Sequence, residues 1–169
     1  IIAVNFGAGF IDVSIAYLGG EIIETVRKIF QFKASEKLKI LLSDEIQRLI
    51  DAYDKEQIIG IGLSINGVVD REKGISIFSP HLKWNNLNLK EYFELKYGIP
   101  VIVDNDVRSM MRAEVFRLKS MGIKNAMYLY IKDGIGSTFM INGEVFEGES
   151  HCAGEIGHYV IDPKSNHKC

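Results

Sequence analysis

An almost unbroken apolar run, Ile58–Ile65, constrains the fold more than any other stretch of this chain. It reads Ile-Ile-Gly-Ile-Gly-Leu-Ser-Ile, which is typical of a strand that is buried on both faces of its sheet. The dipeptide Asn66-Gly67 that follows is a turn signal and ends the run. The run therefore predicts a central strand of an α/β fold.

Periodic patterns before and after this strand predict its neighbours. The chain opens with a three-stranded antiparallel meander, because short β-rich runs alternate with glycine-containing turns. Leucine and isoleucine at helical spacing then predict a first helix, with Ser35 as its N-cap. The predicted elements of this part are strands Ile1–Asn5, Phe10–Tyr17 and Glu21–Phe30, helix Ser35–Tyr53, strand Ile58–Ile65, helix Leu89–Tyr97, strand Val101–Asp104 and helix Val107–Met121.

A second block of β-rich runs follows. It predicts strands at Ala126–Ile131 and Thr138–Ile141, with a hairpin turn at Asn142-Gly143. This arrangement is that of the opening meander, so we expect it to start a second lobe. The predicted domains are residues 1–121, a first lobe, and residues 122–169, the start of the second.

Composition limits the classes of function. With 169 residues and 47% hydrophobic content, the chain is long enough to bury a core in one or two domains. No stretch predicts a membrane span or a signal peptide, and a net charge of −2 gives no electrostatic reason for these residues to bind nucleic acid. Two cysteines, Cys152 and Cys169, do not make a disulfide framework, so a cytoplasmic protein is expected. The abrupt start in a strand at Ile1 predicts a fragment of a longer soluble protein.

The last stretch, residues 147–169, carries the most specific polar pattern. Glu155 and His158 lie three positions apart in Ala-Gly-Glu-Ile-Gly-His, and a helical turn would let both face one point. A His followed at loop distance by a Cys is typical of half of a zinc site, which normally needs four ligands. From His158 onward the candidates are His158, His167 and Cys169. The chain therefore ends within such a site, and we expect zinc to be absent or weakly held.

This stretch resembles the signature of the ROK family of bacterial repressors and sugar kinases. In that family the His and three Cys of a following Cys-x-Cys-Gly-x-x-Gly-Cys run hold zinc, and the Glu and His touch sugar hydroxyls. The resemblance implies a structural zinc at His158 and Cys169, incomplete here, and sugar contacts for Glu155 and His158. It also implies an α/β, ribonuclease H-like (actin/hexokinase-type) ATPase fold, with ligands bound between its two lobes.

Asp104-Asn105-Asp106, at the carboxyl end of a predicted strand, has two interpretations. Ligand groups gather at such strand ends, where Asp106 would act as a general base and Asn105 would bond a sugar hydroxyl. Alternatively, these side chains cap the following helix, which the residues alone favour. The resemblance reverses this preference, because sugar-binding ROK proteins carry an Asn-Asp pair here. Kinases of the family use the Asp that matches Asp106 as the catalytic base.

Two more positions match sugar contacts of the family. Gly67 corresponds to a glycine close to the sugar, although its plain interpretation is a turn. His81 stands where the family usually has an Asn, a departure that would change which hydroxyls or substituents are accepted. Trp84, three residues later, is interpreted as core packing.

The first of the two glycine loops that hold phosphate in the family's kinases is altered here. It keeps Gly7 but has Asn5 in place of an Asp, Gly9 in place of a Thr, and Phe10 where a Lys often follows. An Asn is a poorer Mg²⁺ ligand than a carboxylate because it carries no charge.

The second loop is altered as well. It keeps Gly134 and Gly136 but has Lys132 and Asp133 in place of Gly-Thr, and an acidic side chain repels phosphate. The two altered loops together oppose binding of ATP and Mg²⁺.

These patterns favour the sugar-sensing domain of a ROK transcriptional regulator, of the xylose or N-acetylglucosamine repressor branch. The resemblance then implies a sugar or sugar-phosphate effector, a homo-oligomer, and DNA binding through a winged helix-turn-helix ahead of Ile1 rather than through these residues. The alternative is an ATP-dependent sugar kinase with Asp106 as catalytic base, which the retained Glu155, His158 and Gly134-Ile135-Gly136 support. A third hypothesis is a scaffold lobe used only for dimerisation.

Overall fold

The computed structural model describes residues 1–7, 9–30, 35–132 and 134–162. The chain divides into two units, Ile1–Ser109 and Met110–Cys169. The division falls inside a helix. The boundary predicted from the sequence, between residues 121 and 122, places that helix entirely in the first lobe and stays a prediction. Each unit is described by itself.

The first unit is built on a mixed five-stranded sheet. Its strands and helices are β1 (Ile2–Gly7), β2 (Phe10–Ala16), β3 (Ile22–Ile29), α1 (Ser35–Ala52), β4 (Ile61–Ile65), β5 (Val68–Asp70), β6 (Ile75–Ser79), β7 (Trp84–Asn88), α2 (Leu89–Tyr97), β8 (Val101–Asn105) and the start of α3 (Asp106–Ser120). The strand order is β3-β2-β1-β4-β8, with β1–β3 antiparallel and β4 and β8 parallel to β1. The predicted meander, α1, α2 and central strand are confirmed, and the side chain of Ser35 lies outside the described part.

One face of this sheet carries the core. Ile2, Val4 and Phe6 alternate with exposed or half-exposed residues along β1, and the inward residues of β2 and β4 continue the apolar layer. The buried residues of α1 and α2 belong to the same core cluster. Burial of β4 on both faces, expected from the sequence, is not found among the described residues. A Cβ at Gly62 would meet no atom there within 4 Å, so the second face of β4 is open.

Three short strands between Ile65 and Leu89 were not predicted. They form a small antiparallel sheet of order β5-β6-β7. Two of them lack a strand pattern, since β5 has only three residues and β7 reads Trp-Asn-Asn-Leu-Asn. Pairing with β6, rather than intrinsic propensity, therefore makes them strands.

The second unit contains a three-stranded antiparallel meander. Its strands are β9 (Ala126–Ile131), β10 (Ile135–Ile141) and β11 (Glu144–Phe146), in the order β11-β10-β9. The predicted hairpin turn is confirmed, because Asn142 and Gly143 have φ angles of 54° and 86°, as a tight hairpin requires. β10 begins three residues earlier than predicted, so Gly136 is a strand residue rather than a loop residue. No helix in the described ranges is long and apolar enough to cross a membrane.

The buried phenol of Tyr97 is expected to make the first unit less stable at alkaline pH. Its hydroxyl donates to the Ser43 carbonyl at 2.8 Å, and burial raises its pKa to about 12. Because the folded state favours the neutral phenol, its contribution is fully present below the unfolded pKa of 10.0 and is lost as the pH rises towards 12. We expect the free energy of unfolding, measured with urea, to fall between these pH values.

The Tyr97→Phe variant is the control for this effect. It should lose about 1 kcal/mol at neutral pH, since one hydrogen bond disappears, and its unfolding free energy should fall less between pH 10 and 12. An equal fall in both proteins would assign the effect to other groups.

Candidate functional site

The structure brings two of the predicted sugar contacts, Gly67 and Asn105, together in the first unit. The Asn105 side chain donates from Nδ2 to the Gly67 carbonyl at 3.0 Å and accepts at Oδ1 from the Arg108 amide at 3.0 Å. The second bond is that of a helix N-cap, so the capping interpretation of Asn105 holds geometrically. Asn105 thereby ties the start of α3 to the turn between β4 and β5.

Gly67 lies in a position that only glycine fits. Its φ is +98°, and a Cβ there would lie 2.2 Å from the carbonyl oxygen of Phe78. The adjacent Asn66 accepts a 2.6 Å bond from the Ser79 hydroxyl, so the turn is held against the end of β6. The turn interpretation of Gly67 and its place beside Asn105 are therefore both true.

Of the two aspartates that flank Asn105, one points inward and one stays half exposed. Asp104 is buried, and its Oδ1 accepts from the Arg108 guanidinium at 2.8 Å and from the Asn105 amide at 2.7 Å. Arg108, also buried, donates to the Val69 carbonyl at 2.6 Å. Asp106 is the first residue of α3, is half exposed, and accepts from the Val107 amide at 2.9 Å. Asp104 is thus a structural group, whereas the ligand role of Asp106 stays a prediction.

His81 lies in the turn between β6 and β7 with an exposed side chain. It comes two residues after Ser79, which bonds to the turn that contains Gly67. Trp84 is only 1% exposed and meets the Phe6 ring edge to face at 5.4 Å. Its predicted role in the core is confirmed.

An aromatic ring lies on Gly7, the glycine kept from the predicted first phosphate loop. Gly7 and Phe10 face each other across β1 and β2, and a Cβ at Gly7 would lie 2.1 Å from Cζ of Phe10. The Arg27 guanidinium lies 4.2 Å from the centre of that ring and makes two bonds to Asp12, at 2.6 and 2.7 Å. These bonds raise the pKa of Arg27. We call Phe10, Arg27 and Asp12 the Phe10 stack.

Asn5, the position of the missing family aspartate, lies directly opposite Asp12 in the β1–β2 register. It is exposed on the open face of the sheet. Both carboxylate oxygens of Asp12 are engaged by Arg27. Asn5 therefore offers no charge to Mg²⁺, and the Asp12 carboxylate, which is the kind of ligand that Mg²⁺ prefers, is already paired with Arg27.

In the second unit, Glu155 and His158 share one short turn. A 3₁₀ turn covers Ile156–His158, and Glu155 occupies the position before it. The distance from Nε2 of His158 to Oε2 of Glu155 is 3.6 Å, and both side chains are at least half exposed. A carboxylate and an imidazole side by side on the surface can together bind neighbouring hydroxyls of a sugar.

This turn is seated on β10 by two glycines. A Cβ at Gly154 would lie 2.1 Å from the Ser137 carbonyl oxygen, and one at Gly157 would lie 2.2 Å from the Ile135 carbonyl oxygen. The buried Ser137 hydroxyl donates to the Gly154 carbonyl at 2.7 Å. Gly134–Gly136, from the predicted second phosphate loop, thus leads into β10, the strand against which the Glu155–His158 turn packs. Asp133 lies outside the described residues.

The metal prediction extends beyond the part of the chain that the structure describes. Cys169 and His167 lie outside it, so the zinc ligand pair His158 and Cys169 stays a prediction. Across residues 1–7, 9–30, 35–132 and 134–162 there is no group of three or more His, Cys, Asp or Glu that could hold a metal ion.

A charged cluster before the signature was missed by sequence reasoning. Arg112 of α3 forms an ion pair with Glu147, and Nδ1 of His151 lies 3.8 Å from the second oxygen of that carboxylate. His151 also has a left-handed φ of 59°, which is uncommon for a residue with a side chain. Because 35 positions separate Arg112 from Glu147, no local sequence pattern predicts this ion pair.

Comparison with known proteins gives these features a family. The model of the ROK family matches residues 1–169. The chain belongs to the ROK family. The resemblance to this family is thereby confirmed, whereas the roles of Asn105, Asp106, Glu155 and His158 stay predictions.

Relatives of this ROK protein include regulators and kinases. A xylose repressor from Caldicellulosiruptor bescii is 28% identical over 165 residues, which are 96% of this chain and 41% of the repressor. A glucokinase from Halalkalibacterium halodurans is 28% identical over 130 residues, 76% of this chain and 39% of the kinase. A solved ROK family transcriptional regulator, a homolog of the E. coli MLC protein, matches with a TM-score of 0.86 and 28% identity, over 96% of this chain and 42% of that chain. The predicted fold is confirmed, and the chain spans less than half the length of these relatives.

Proposed function

We propose that this chain is the sugar-sensing domain of a ROK-family transcriptional regulator that controls sugar metabolism. The observation that carries the proposal is the Phe10 ring lying on Gly7. A phosphate that approached Gly7 from this face of the sheet would have to displace the ring and with it the Arg27 contact. An exposed cation–π contact is worth about 0.5–1 kcal/mol, and the Asp12 bonds hold Arg27 in place in addition.

The residues that would bind sugar support the same proposal because they do not depend on this loop. Asn105 and Asp106 stand at the end of β8, and Glu155 and His158 stand on their 3₁₀ turn. Carboxylate, amide and imidazole groups supply the donors and acceptors that sugar hydroxyls need. Sugar recognition without nucleotide binding is the behaviour of a sensor.

A thermal-shift experiment on the full-length protein tests the proposal. A ligand at 100 times its dissociation constant stabilises the folded state by about 2.7 kcal/mol, so it raises the melting temperature measurably. We expect D-xylose, D-glucose, N-acetyl-D-glucosamine or one of their 6-phosphates to raise it, and ATP with Mg²⁺ to leave it unchanged. The Asp106→Ala variant should lose the sugar response, whereas Asp44→Ala, on the exposed side of α1, should keep it.

A sugar kinase is the second candidate, and the half-exposed Asp106 at the start of α3 favours it. In that role its carboxylate would take the proton from the attacking sugar hydroxyl. ATP-dependent turnover of a sugar that disappears in Asp106→Ala would overturn the sensor proposal.

Three further properties belong to the same proposal. We expect DNA to be bound by a winged helix-turn-helix that precedes Ile1, and the protein to be a homo-oligomer. We also expect His158 and Cys169 to share a structural zinc with ligands that follow in the full-length protein. Zinc removal should then loosen the segment after His158, because such sites fold with their metal.

A further inference from the structure

We propose that Ser137 is a positioning residue for the Glu155–His158 pair, acting through the Gly154 carbonyl. This inference rests on the proposed function, since it concerns the same two sugar-binding side chains. It also gives the segment after Gly134 a task in this chain other than holding phosphate.

The Gly154 carbonyl lies directly before the 3₁₀ turn, whose N-cap is Glu155. It accepts from the Ser137 hydroxyl at 2.7 Å and from the Ile156 amide at 2.7 Å. The turn itself contributes only local bonds, from the His158 amide to the Glu155 carbonyl at 3.3 Å and from the Tyr159 amide to the Ile156 carbonyl at 3.0 Å. A 3₁₀ turn with so few internal bonds needs an external anchor, because its hydrogen-bond geometry is poor.

The Ser137 hydroxyl is suited to be that anchor. Ser137 is 7% exposed in β10, where pairing with Leu129 of β9 fixes its backbone. Gly154 and Gly157 let the backbone of the turn lie close against β10. This packing holds the turn near the strand but does not fix its orientation. A hydrogen bond has an angular preference, so the hydroxyl sets where the Gly154 peptide points and hence where the Glu155 side chain begins.

The neighbouring residue Thr138 offers a matched control. It is fully buried in the same strand, and its hydroxyl has no hydrogen-bond partner within the described ranges. Thr138→Val therefore removes a buried hydroxyl from β10 without removing a bond. Ser137→Ala removes a hydroxyl that makes one.

The test compares Ser137→Ala, Ser137→Thr and Thr138→Val in the full-length protein. Amide hydrogen exchange is measured at Ile156, His158 and Tyr159 without ligand, and affinity is measured for the sugar identified among D-xylose, D-glucose, N-acetyl-D-glucosamine and their 6-phosphates. We expect Ser137→Ala to accelerate exchange at these amides and to weaken sugar binding, each about fivefold to tenfold. Ser137→Thr should restore both, and Thr138→Val should stay within twofold of the wild type.

Three results would overturn the role of Ser137. They are unchanged exchange in Ser137→Ala, the same losses in Thr138→Val, and faster exchange with unchanged sugar affinity, since the turn would then not position a sugar ligand. If the wild type binds none of these sugars, the proposed function fails by itself. The exchange comparison still decides whether Ser137 holds the turn.

Discussion

Replacing Arg108 by Met is expected to lower the free energy of unfolding by about 3–5 kcal/mol. Arg108 and Asp104 are 3% and 4% exposed, and the guanidinium also bonds the Val69 carbonyl. Removing the arginine leaves a buried carboxylate without its main counter-charge, which costs far more than an ion pair contributes at the surface. Urea unfolding of the wild type and Arg108→Met gives the difference directly.

Arg117→Met is the matched control on the same helix. Arg117 pairs with Glu114 at 2.7 Å, but their side chains are 64% and 40% exposed. Exposed pairs contribute about 0–1 kcal/mol, so this variant should change the unfolding free energy little. If Arg108→Met lost no more than about 1 kcal/mol, as expected for Arg117→Met, the Asp104–Arg108 pair would contribute no more than a surface contact.

The Gly67→Ala variant is expected to lose about 3 kcal/mol of stability and most of its sugar affinity. Its φ of +98° strains any residue with a Cβ, and the added atom would lie 2.2 Å from the Phe78 carbonyl oxygen. Such strain costs about 1–3 kcal/mol, and overpacking adds a similar amount. Relief of the contact would move the Gly67 carbonyl away from Asn105, which is a predicted sugar ligand. Calorimetric sugar titration and urea unfolding measure the two effects.

Gly62→Ala tests whether the effect belongs to this turn or to any glycine of the central strand. A Cβ at Gly62 meets no described atom within 4 Å. At such a position an alanine reduces the entropy of the unfolded chain, so this variant should be unchanged or more stable by about 0.4–1 kcal/mol. A Gly67→Ala protein as stable as Gly62→Ala would show that the turn can shift without cost.

Sequence reasoning succeeded where a pattern is local and repeated. The spacing of Leu38, Leu42, Ile46 and Leu49 predicts α1, and all four side chains are buried. The same reasoning failed for β5 and β7. Their own residues have no strand pattern, and pairing with β6 makes them strands. Burial on both faces of Ile58–Ile65 was also expected wrongly, because the apolar residues alternate with Gly62 and Ser64 once the strand is formed.

For the candidate site, the sequence names residues but not the contacts that they make. The sequence does not show that the Asn105 side chain makes two bonds at once. Its Nδ2 donates to the Gly67 carbonyl, and its Oδ1 accepts from the backbone amide of Arg108. The Phe10 ring on Gly7 depends on the β1–β2 register, and the Ser137 bond joins segments 17 positions apart. These contacts arise from tertiary structure, which single-sequence patterns do not encode.

The three residues of the Phe10 stack and Asn5, which lies opposite Asp12, constrain one another's identity. Asn5→Asp, the change towards a kinase, would place two carboxylates opposite each other with Asp12, and like charges in such cross-strand pairs are destabilising. Changing Asp12 would in turn release Arg27 and uncover Phe10. Each of these two single changes therefore adds a repulsion or removes a contact, so the four residues can change without such a loss only together.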